Sequence, residues 1–337
     1  MKPTTSINTR ACGGSAEPPE GDARDGIVFG QWMGIVTMAS DERRVFSSQA
    51  HSTRGPVGAM TAPMKRSSIA ARSLCLALSL VACGSASPHT ETARTDTTPS
   101  ASWPHVATVA PSPSVQAAVD AADRTEADRA LDAGRQPAQV FTFFGIAPEQ
   151  HVADLFAGGG YSTELVARVV GPNGSVIAQN ATTILDRFAR GPLTERMTRL
   201  AMPNVTSAER AFDAPLPDDV HDLDAVIFVL SYHDTVWMGT DRAAMNRAIF
   251  AALRPGGVYG IVDHAAAPGH GVQDVQTLHR IEESVVIDEV LAAGFRLDGE
   301  LDLLRNASDT HDWNDSPSAA GERRGTSDRF VLRFVKP

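Results

Sequence analysis

The sequence predicts an α/β protein: a doubly wound, mostly parallel seven-stranded sheet with an antiparallel last strand, preceded by N-terminal helices. Three observations predict it. Short apolar runs alternate with helical segments from His151 to Gly294. Strands such as Asp224–Leu230 (DAVIFVL) are apolar throughout, as expected where helices cover both faces of a parallel sheet. The last two strands, Phe295–Leu304 and Arg329–Val335, are joined by a polar loop without a helix, so they are expected to pair antiparallel at the sheet edge.

Taken in order, residues 114–133 are Ala-rich and charged, which predicts a helix with Ser114 as its N-cap. A second helix is expected over Pro137–Phe144, stopping at Gly145. His151–Phe156 is a strand, followed by glycines and a helix over Ser162–Val170. Gly174–Ala178, Asn204–Ala208, Asp224–Leu230 and Val258–Val262 are further strands. Helices are expected over Thr183–Leu200 and Arg242–Leu253, the latter ended by Arg254-Pro255-Gly256-Gly257. Leu278, Ile281 and Val285 fall at helical spacing, which predicts a helix over Val275–Ala293 with Gly294 as its C′ residue. Arg280, Glu282 and Glu283 then read as its solvated face.

The N-terminal third has a different character. Residues 1–63 show no sustained period and read as disordered, or as not part of the native product. Residues 64–82 hold a basic start (Met64-Lys65-Arg66), an apolar run over Leu74–Ala82 and a small residue before Cys83, which is signal-peptide anatomy. Leu80-Val81-Ala82-Cys83 resembles a bacterial lipobox, so the expected product is a periplasm-facing lipoprotein anchored to the membrane at a lipidated Cys83, with a cytoplasmic location as the alternative. Residues 83–113 form a Ser/Thr/Pro-rich linker, and residues 114–337 form the folded domain. No apolar run reaches the length of a transmembrane helix.

Charge narrows the partners. Nine of the 30 basic and six of the 40 acidic residues precede Cys83, so the remainder carries 21 basic against 34 acidic side chains. An acidic domain repels phosphate backbones, and no nucleic-acid substrate is expected. Cys12, Cys75 and Cys83 all lie before the folded region, which leaves the domain without a thiolate metal cluster.

The most informative segment is Asp154-Leu155-Phe156-Ala157-Gly158-Gly159-Gly160-Tyr161-Ser162-Thr163. An acid closes a strand, three glycines bend the chain and a helix begins, so the main chain can approach a ligand closely beside free N–H groups. Dinucleotide folds use a similar turn, but here Thr163 occupies the third glycine position of G-x-G-x-x-G.

These residues, with the Arg-Pro-Gly-Gly turn, the helix ending "AAGF" and the terminal strand pair, resemble class I S-adenosyl-L-methionine (AdoMet) dependent methyltransferases over roughly Val115–Pro337. Within that superfamily the chain resembles a group of bacterial predicted methyltransferases that often carry export signals. The shared stretches are Gly134–Ile146 (GRQPAQVFTFFGI), Ser231–Asp234 (SYHD), Asp263–Gly271 (DHAAAPGHG), Leu278–Val286 (LHRIEESVV) and Gly325–Pro337 (GTSDRFVLRFVKP).

The first reading of the chain is a methyltransferase acting on a small or medium-sized acceptor. The resemblance implies AdoMet as cofactor but names no substrate. It implies that Asp154 holds the AdoMet amino group, that the Ala157–Tyr161 bend (Ala157, Gly158, Gly159, Gly160, Tyr161) passes beneath the cofactor, and that Asn180 meets the ribose where an acid is usual. Phe212 and Asp213 are the adenine candidates, and Ser231 belongs to the cofactor site. Tyr232, His233 and Asp234 follow the fourth strand of the main run, where donor meets acceptor; His233 or Asp234 is the candidate base and Tyr232 the candidate sulfonium neighbour. Asp234, Asp263 and a histidine invite a metal reading, but a polar pocket or loop-pinning hydrogen bonds is preferred and no metal is expected. Two other readings stand beside the enzyme: a lipid-anchored, non-catalytic binding protein that keeps the fold, and a nicotinamide-dependent reductase, which Thr163 and Asn180 weaken.

Overall fold

The structure, a computed structural model, describes residues 103–337. The signal segment at 64–82, Cys83 and residues 1–63 lie outside the described residues.

The strands are β1 (His105–Val106), β2 (His151–Leu155), β3 (Ser175–Asn180), β4 (Val205–Glu209), β5 (Leu223–Val229), β6 (Leu253–His264), β7 (Arg296–Leu301) and β8 (Arg329–Val335). They form one sheet in the order β1-β7-β8-β6-β5-β2-β3-β4. All pairings are parallel except those of β8, which runs antiparallel to both β6 and β7. The doubly wound sheet with an antiparallel last strand is therefore present, with one difference. His105 and Val106, in the stretch read as linker, add an eighth strand by pairing with Glu300 and Leu301 of β7. The terminal pair is antiparallel as expected, with β8 on the inner side and β7 outside it.

The helices are α1 (Pro113–Val119), α2 (Glu126–Arg135), α3 (Pro137–Phe143), α4 (Tyr161–Val170), α5 (Thr182–Ile184), α6 (Arg190–Arg199), α7 (Asp234–Trp237), α8 (Arg242–Ala252) and α9 (Glu283–Ala292). A π-helical turn at Leu185–Ala189 joins α5 to α6, so the expected helix after β3 is present with a bulge inside it. The helix expected over 114–133 is two helices. Ser112, rather than Ser114, caps α1 by accepting from the Val115 N–H, and Thr125 caps α2 by accepting from Asp128 N–H at 3.1 Å. A second capping residue inside the run restarts the helix on a new axis.

The core explains the apolar strands. Val152, Ala153, Leu155, Val176, Ala178, Val226, Ile227, Phe228 and Ile261 are all fully buried. At Gly260 of β6 a β-carbon would lie 2.6 Å from the Phe144 ring, so the close approach of α3 to the sheet requires glycine there.

The helix expected over Val275–Ala293 begins only at Glu283. Ile281 instead extends the end of β6, donating its N–H to His264 O at 3.0 Å and accepting from Ala266 N–H at 3.0 Å. His279, with φ 56°, turns the chain into that extended position. Apolar residues at helical spacing face the core here, but a strand-like bridge places them. Arg280 is accordingly inside, with no exposed surface, and burial pushes the Glu283 carboxyl up to about 7 against its partner Arg305. The solvated-face reading fails for both residues.

β2 pairs with β3 on one side and β5 on the other, so the chain winds outward in opposite directions from that point. Ligands of open α/β sheets bind at the carboxyl ends of the strands beside such a reversal. Both candidate clusters lie at that edge.

Candidate functional site

Asp154 is the penultimate residue of β2 and is 2% exposed. Its carboxylate accepts from the Thr163 hydroxyl at 2.6 Å and from the Thr163 main chain, which ties the strand to the first turn of α4. No cation pairs with it among the described residues. Burial pushes its pKa up to about 7, and the Thr163 hydrogen bonds and the more distant Arg135 only partly oppose this. A desolvated carboxyl in this setting gains strongly from a cationic ligand.

The bend after Asp154 is held from three sides. Gln179 accepts from the Phe156 N–H through its side chain and from the Ala157 N–H through its carbonyl, at 3.2 and 2.9 Å. Asn180 accepts from the Gly158 N–H at 2.8 Å, and its amide donates back to Gly158 O at 3.4 Å. Arg196 of α6 donates to Gly159 O at 2.8 Å while it pairs with Asp128 and Glu164.

The glycines therefore have different reasons. At Gly160 (φ 86°) a β-carbon would lie 2.9 Å from Leu193 Cδ1, and at Gly159 one would lie 3.2 Å from Pro192 Cβ. Only Gly158 (φ 56°) faces open space, its nearest neighbour being Phe156 O at 4.0 Å. The bend thus offers a ligand one open glycine, and α6 packs against the other two.

Beside it a narrow crevice, with a cavity volume of about 10 Å³, reaches from Tyr161 and Ser162 at the start of α4 to Val229, Leu230 and Val262 at the strand tips. Its walls are mainly apolar, with Arg135, Arg329, Tyr161 and Ser162 as the polar exceptions. Arg329 is buried and donates to the carbonyls of Gly134, Gly325 and Ser327. Arg135 lies over the Tyr161 ring at 4.3 Å and has no carboxylate partner among the described residues. Tyr161 is fixed by donating to Asp132 at 2.6 Å. Arg135 lines this crevice and Asp154 is buried behind the bend; in charge, this guanidinium and carboxyl match the carboxylate and ammonium of an α-amino acid.

That donor set is the test for the cofactor that the resemblance implies, and the amino-acid end of AdoMet fits it. The ribose end fits less directly. Asn180 is fully buried and both its polar atoms engage Gly158, so it shapes the bend rather than presenting a free amide to a diol. Phe212 stands in an aromatic ladder, 5.4 Å from Phe156 and 6.1 Å from Phe228, and Asp213 is exposed and accepts from the Asp241 N–H at 2.8 Å. Sequence reasoning named the bend but missed Arg135 and Arg329. The only sequence signal for Arg135 is its place in the Gly134–Ile146 stretch.

The Ser231–Asp234 segment follows β5, and Leu230 (φ 61°) turns the chain into it. Ser231 is half-buried and its carbonyl accepts from the Asp234 N–H at 3.2 Å. Tyr232 points away from the bend: it donates to Glu289 of α9 at 2.7 Å and accepts from Asn246 of α8 at 2.8 Å. His233 is 2% exposed, and Asp263 accepts from both its main-chain N–H, at 2.7 Å, and its Nδ1, at 2.8 Å. Burial alone lowers the pKa of His233, but Asp234 and Asp263 reverse this and hold it well above the usual imidazole range. His264 bonds Ser327 and Asp315, and His270 pairs with Asp274 at the surface.

No family model matches the chain. The chain is 28% identical over 151 residues to a curated relative, the ubiquinone/menaquinone biosynthesis C-methyltransferase UbiE of Proteus mirabilis (strain HI4320). The match covers 43% of this chain and 57% of that protein, so the chain spans little more than half the length of the curated relative it matches. Among solved structures it is similar to a SAM-dependent methyltransferase from Aquifex aeolicus, at 16% identity over 66% of this chain and 98% of that one, with a TM-score of 0.44. It is also similar to the arsenic(III) S-adenosylmethionine methyltransferase CrArsM from Chlamydomonas reinhardtii, at 18% identity over 67% of this chain and 74% of that one, with a TM-score of 0.43.

Proposed function

We propose that this chain is an AdoMet-dependent methyltransferase acting on a small acceptor. The observation that carries the reading is a pair of charges around the bend. Asp154, a buried carboxyl without a cation among the described residues, stands near the end of β2 before the open glycine Gly158, and Arg135, a guanidinium without an anion among them, lines the crevice beside Tyr161 and Ser162. The partial likeness to a C-methyltransferase supports it.

When bound, AdoMet supplies an electrophilic methyl group, and the protein's part is alignment and exclusion of water. Asp154 and Arg135 anchor the amino-acid end, Gly158 gives the clearance, and the apolar strand ends Val229, Leu230 and Val262 keep the cavity dry. Tyr161 holds Arg135 in place by stacking. The His233–Asp234 pair at the neighbouring strand tip is left out of this alignment, since His233 is already held as a cation between Asp234 and Asp263. Calorimetry on the full chain is expected to show one AdoMet site of micromolar affinity. No heat at millimolar AdoMet would assign the fold to the non-catalytic binding role instead.

The proposal extends to location. The Met64–Cys83 segment has the order of a lipoprotein signal, and Cys83 is the proposed lipid attachment point. Alkaline phosphatase fused after Cys83 is expected to be active in a Gram-negative host, whereas an inactive fusion places the enzyme in the cytoplasm.

A further inference from the structure

Three side chains at the tips of β5 and β6 converge in a way that the methyltransferase reading does not use. His233 Nε2 lies 3.2 Å from His279 Nδ1 and 3.3 Å from Asp234 Oδ1, and His279 Nδ1 lies 3.6 Å from Asp234 Oδ1. The triangle is nearly equilateral, and each edge is longer than a good N–H···O bond of roughly 2.9 Å. Three donor atoms at such similar separations suit one shared central partner, with Asp234 Oδ1 held in place by Trp237 Nε1 at 2.9 Å. A tetrahedral zinc ion, with ligands at roughly 2.0–2.2 Å, sets its ligand atoms about 3.4 Å apart.

The surroundings are built for this. Asp263 accepts the Nδ1 proton of His233, so Nε2 is the nitrogen turned into the triangle, and it gives up its proton when a metal binds. A carboxylate behind a histidine is the arrangement that orients metal-bound imidazoles. Asp263 also receives the His233 and His264 main-chain N–H groups, so it is itself fixed. His279 reaches the triangle because its backbone adopts φ 56°, a conformation that costs energy in a non-glycine residue. Arg280, fully buried next to it, holds that turn by donating to Ala265 O at 2.9 Å.

We infer that His233, Asp234 and His279 form a divalent-metal site of the zinc class. Two imidazoles and one carboxylate supply three ligands. The side chains of Asp234 and His279 keep 14% and 12% of their surface exposed, which admits water or a ligand's donor atom to the fourth position. The inference stands apart from the cofactor proposal, since none of the three residues touches the glycine bend.

The test uses the purified full chain, stripped with a chelator and titrated with Co²⁺ and then Zn²⁺. The parent is expected to bind one equivalent of Co²⁺ with the intense visible bands of tetrahedral coordination, and Zn²⁺ is expected to displace it. His279→Ala is expected to weaken Zn²⁺ binding by roughly 100-fold or more, and Asp263→Asn, behind the ligand, by about 10-fold. His270→Ala, at the exposed pair, should leave binding unchanged. A parent protein without tetrahedral bands overturns the site whatever the variants do, and so does a folded His279→Ala protein that binds as the parent does. AdoMet calorimetry on the same stripped sample reads the cofactor proposal separately.

Discussion

Asp154→Asn is expected to make the protein more stable at pH 8 while costing it roughly 100-fold in AdoMet affinity. The affinity loss follows from removing the charged half of one ammonium contact, a hydrogen bond worth about 1.5–3 kcal/mol. The stability gain follows from linkage. The folded pKa of about 7 lies above the unfolded value of 3.8, so between these limits the unfolded chain binds fewer protons and stability falls as pH rises. Above pH 7 the whole cost is present, at most about 4 kcal/mol for a shift of three units. Below the unfolded pKa it is absent. Asparagine still accepts from the Thr163 hydroxyl but carries no charge, so its advantage should grow from pH 4 to pH 7 and then level off. Thermal denaturation of both proteins across that range checks this, and parallel melting curves would sink it. An ammonium ligand needs the ionised carboxyl, so AdoMet binding to the parent should strengthen from pH 6 to pH 8, and the variant should lose that slope.

Arg280→Met should cost about 3–5 kcal/mol of unfolding free energy, a large part of the roughly 5–15 kcal/mol that holds a typical domain. Both partners of the Arg280–Asp309 ion pair have side chains with no exposed surface, their closest contact being 2.7 Å. Arg280 also donates to Ala265 O and Trp313 O and lies over the Trp313 ring at 4.8 Å. Methionine keeps the volume and abandons Asp309, whose desolvated charge then has only hydrogen-bond donors for company. Adding Asp309→Leu should recover only part of the loss, because Asp309 also accepts from the N–H groups of His311 and Asp328 and from Trp313 Nε1. Urea denaturation of the single and double variants gives both numbers. A single-variant loss below about 1 kcal/mol would show that the pair is replaceable by packing alone.

The contrast between these two residues shows what the sequence disclosed. Asp154 was legible because its neighbours in the chain are also its neighbours in space: strand, acid, glycines and helix all lie within ten residues. Strands on either side of it were legible for a related reason, since a strand buried on both faces must be apolar throughout. Arg280 was not legible. Its partner is 29 positions away, and the apolar spacing around it imitates a helix that Ile281 breaks by bridging to Ala265. Arg196 was hidden similarly, as its carboxylate partner Asp128 stands 68 positions earlier. Tyr232 was placed at the correct strand tip but with the wrong orientation, because only α8 and α9 reveal the Asn246 and Glu289 that draw its hydroxyl away. The His233–Asp234–His279 triangle divides along the same line: two members adjoin in the chain, and the third arrives through a turn that no local pattern marks.

The interior position of β8 bears on how the domain is assembled. β6 and β7 have no hydrogen bonds to one another across most of their length, because β8 occupies the lane between them. Synthesis delivers that lane's occupant after every other strand, so until Arg329–Val335 emerge both neighbours keep unsatisfied edges and the sheet stays in two pieces. Clipping those residues would therefore leave a split sheet rather than a shortened one, and proteolysis there should inactivate the domain as a whole.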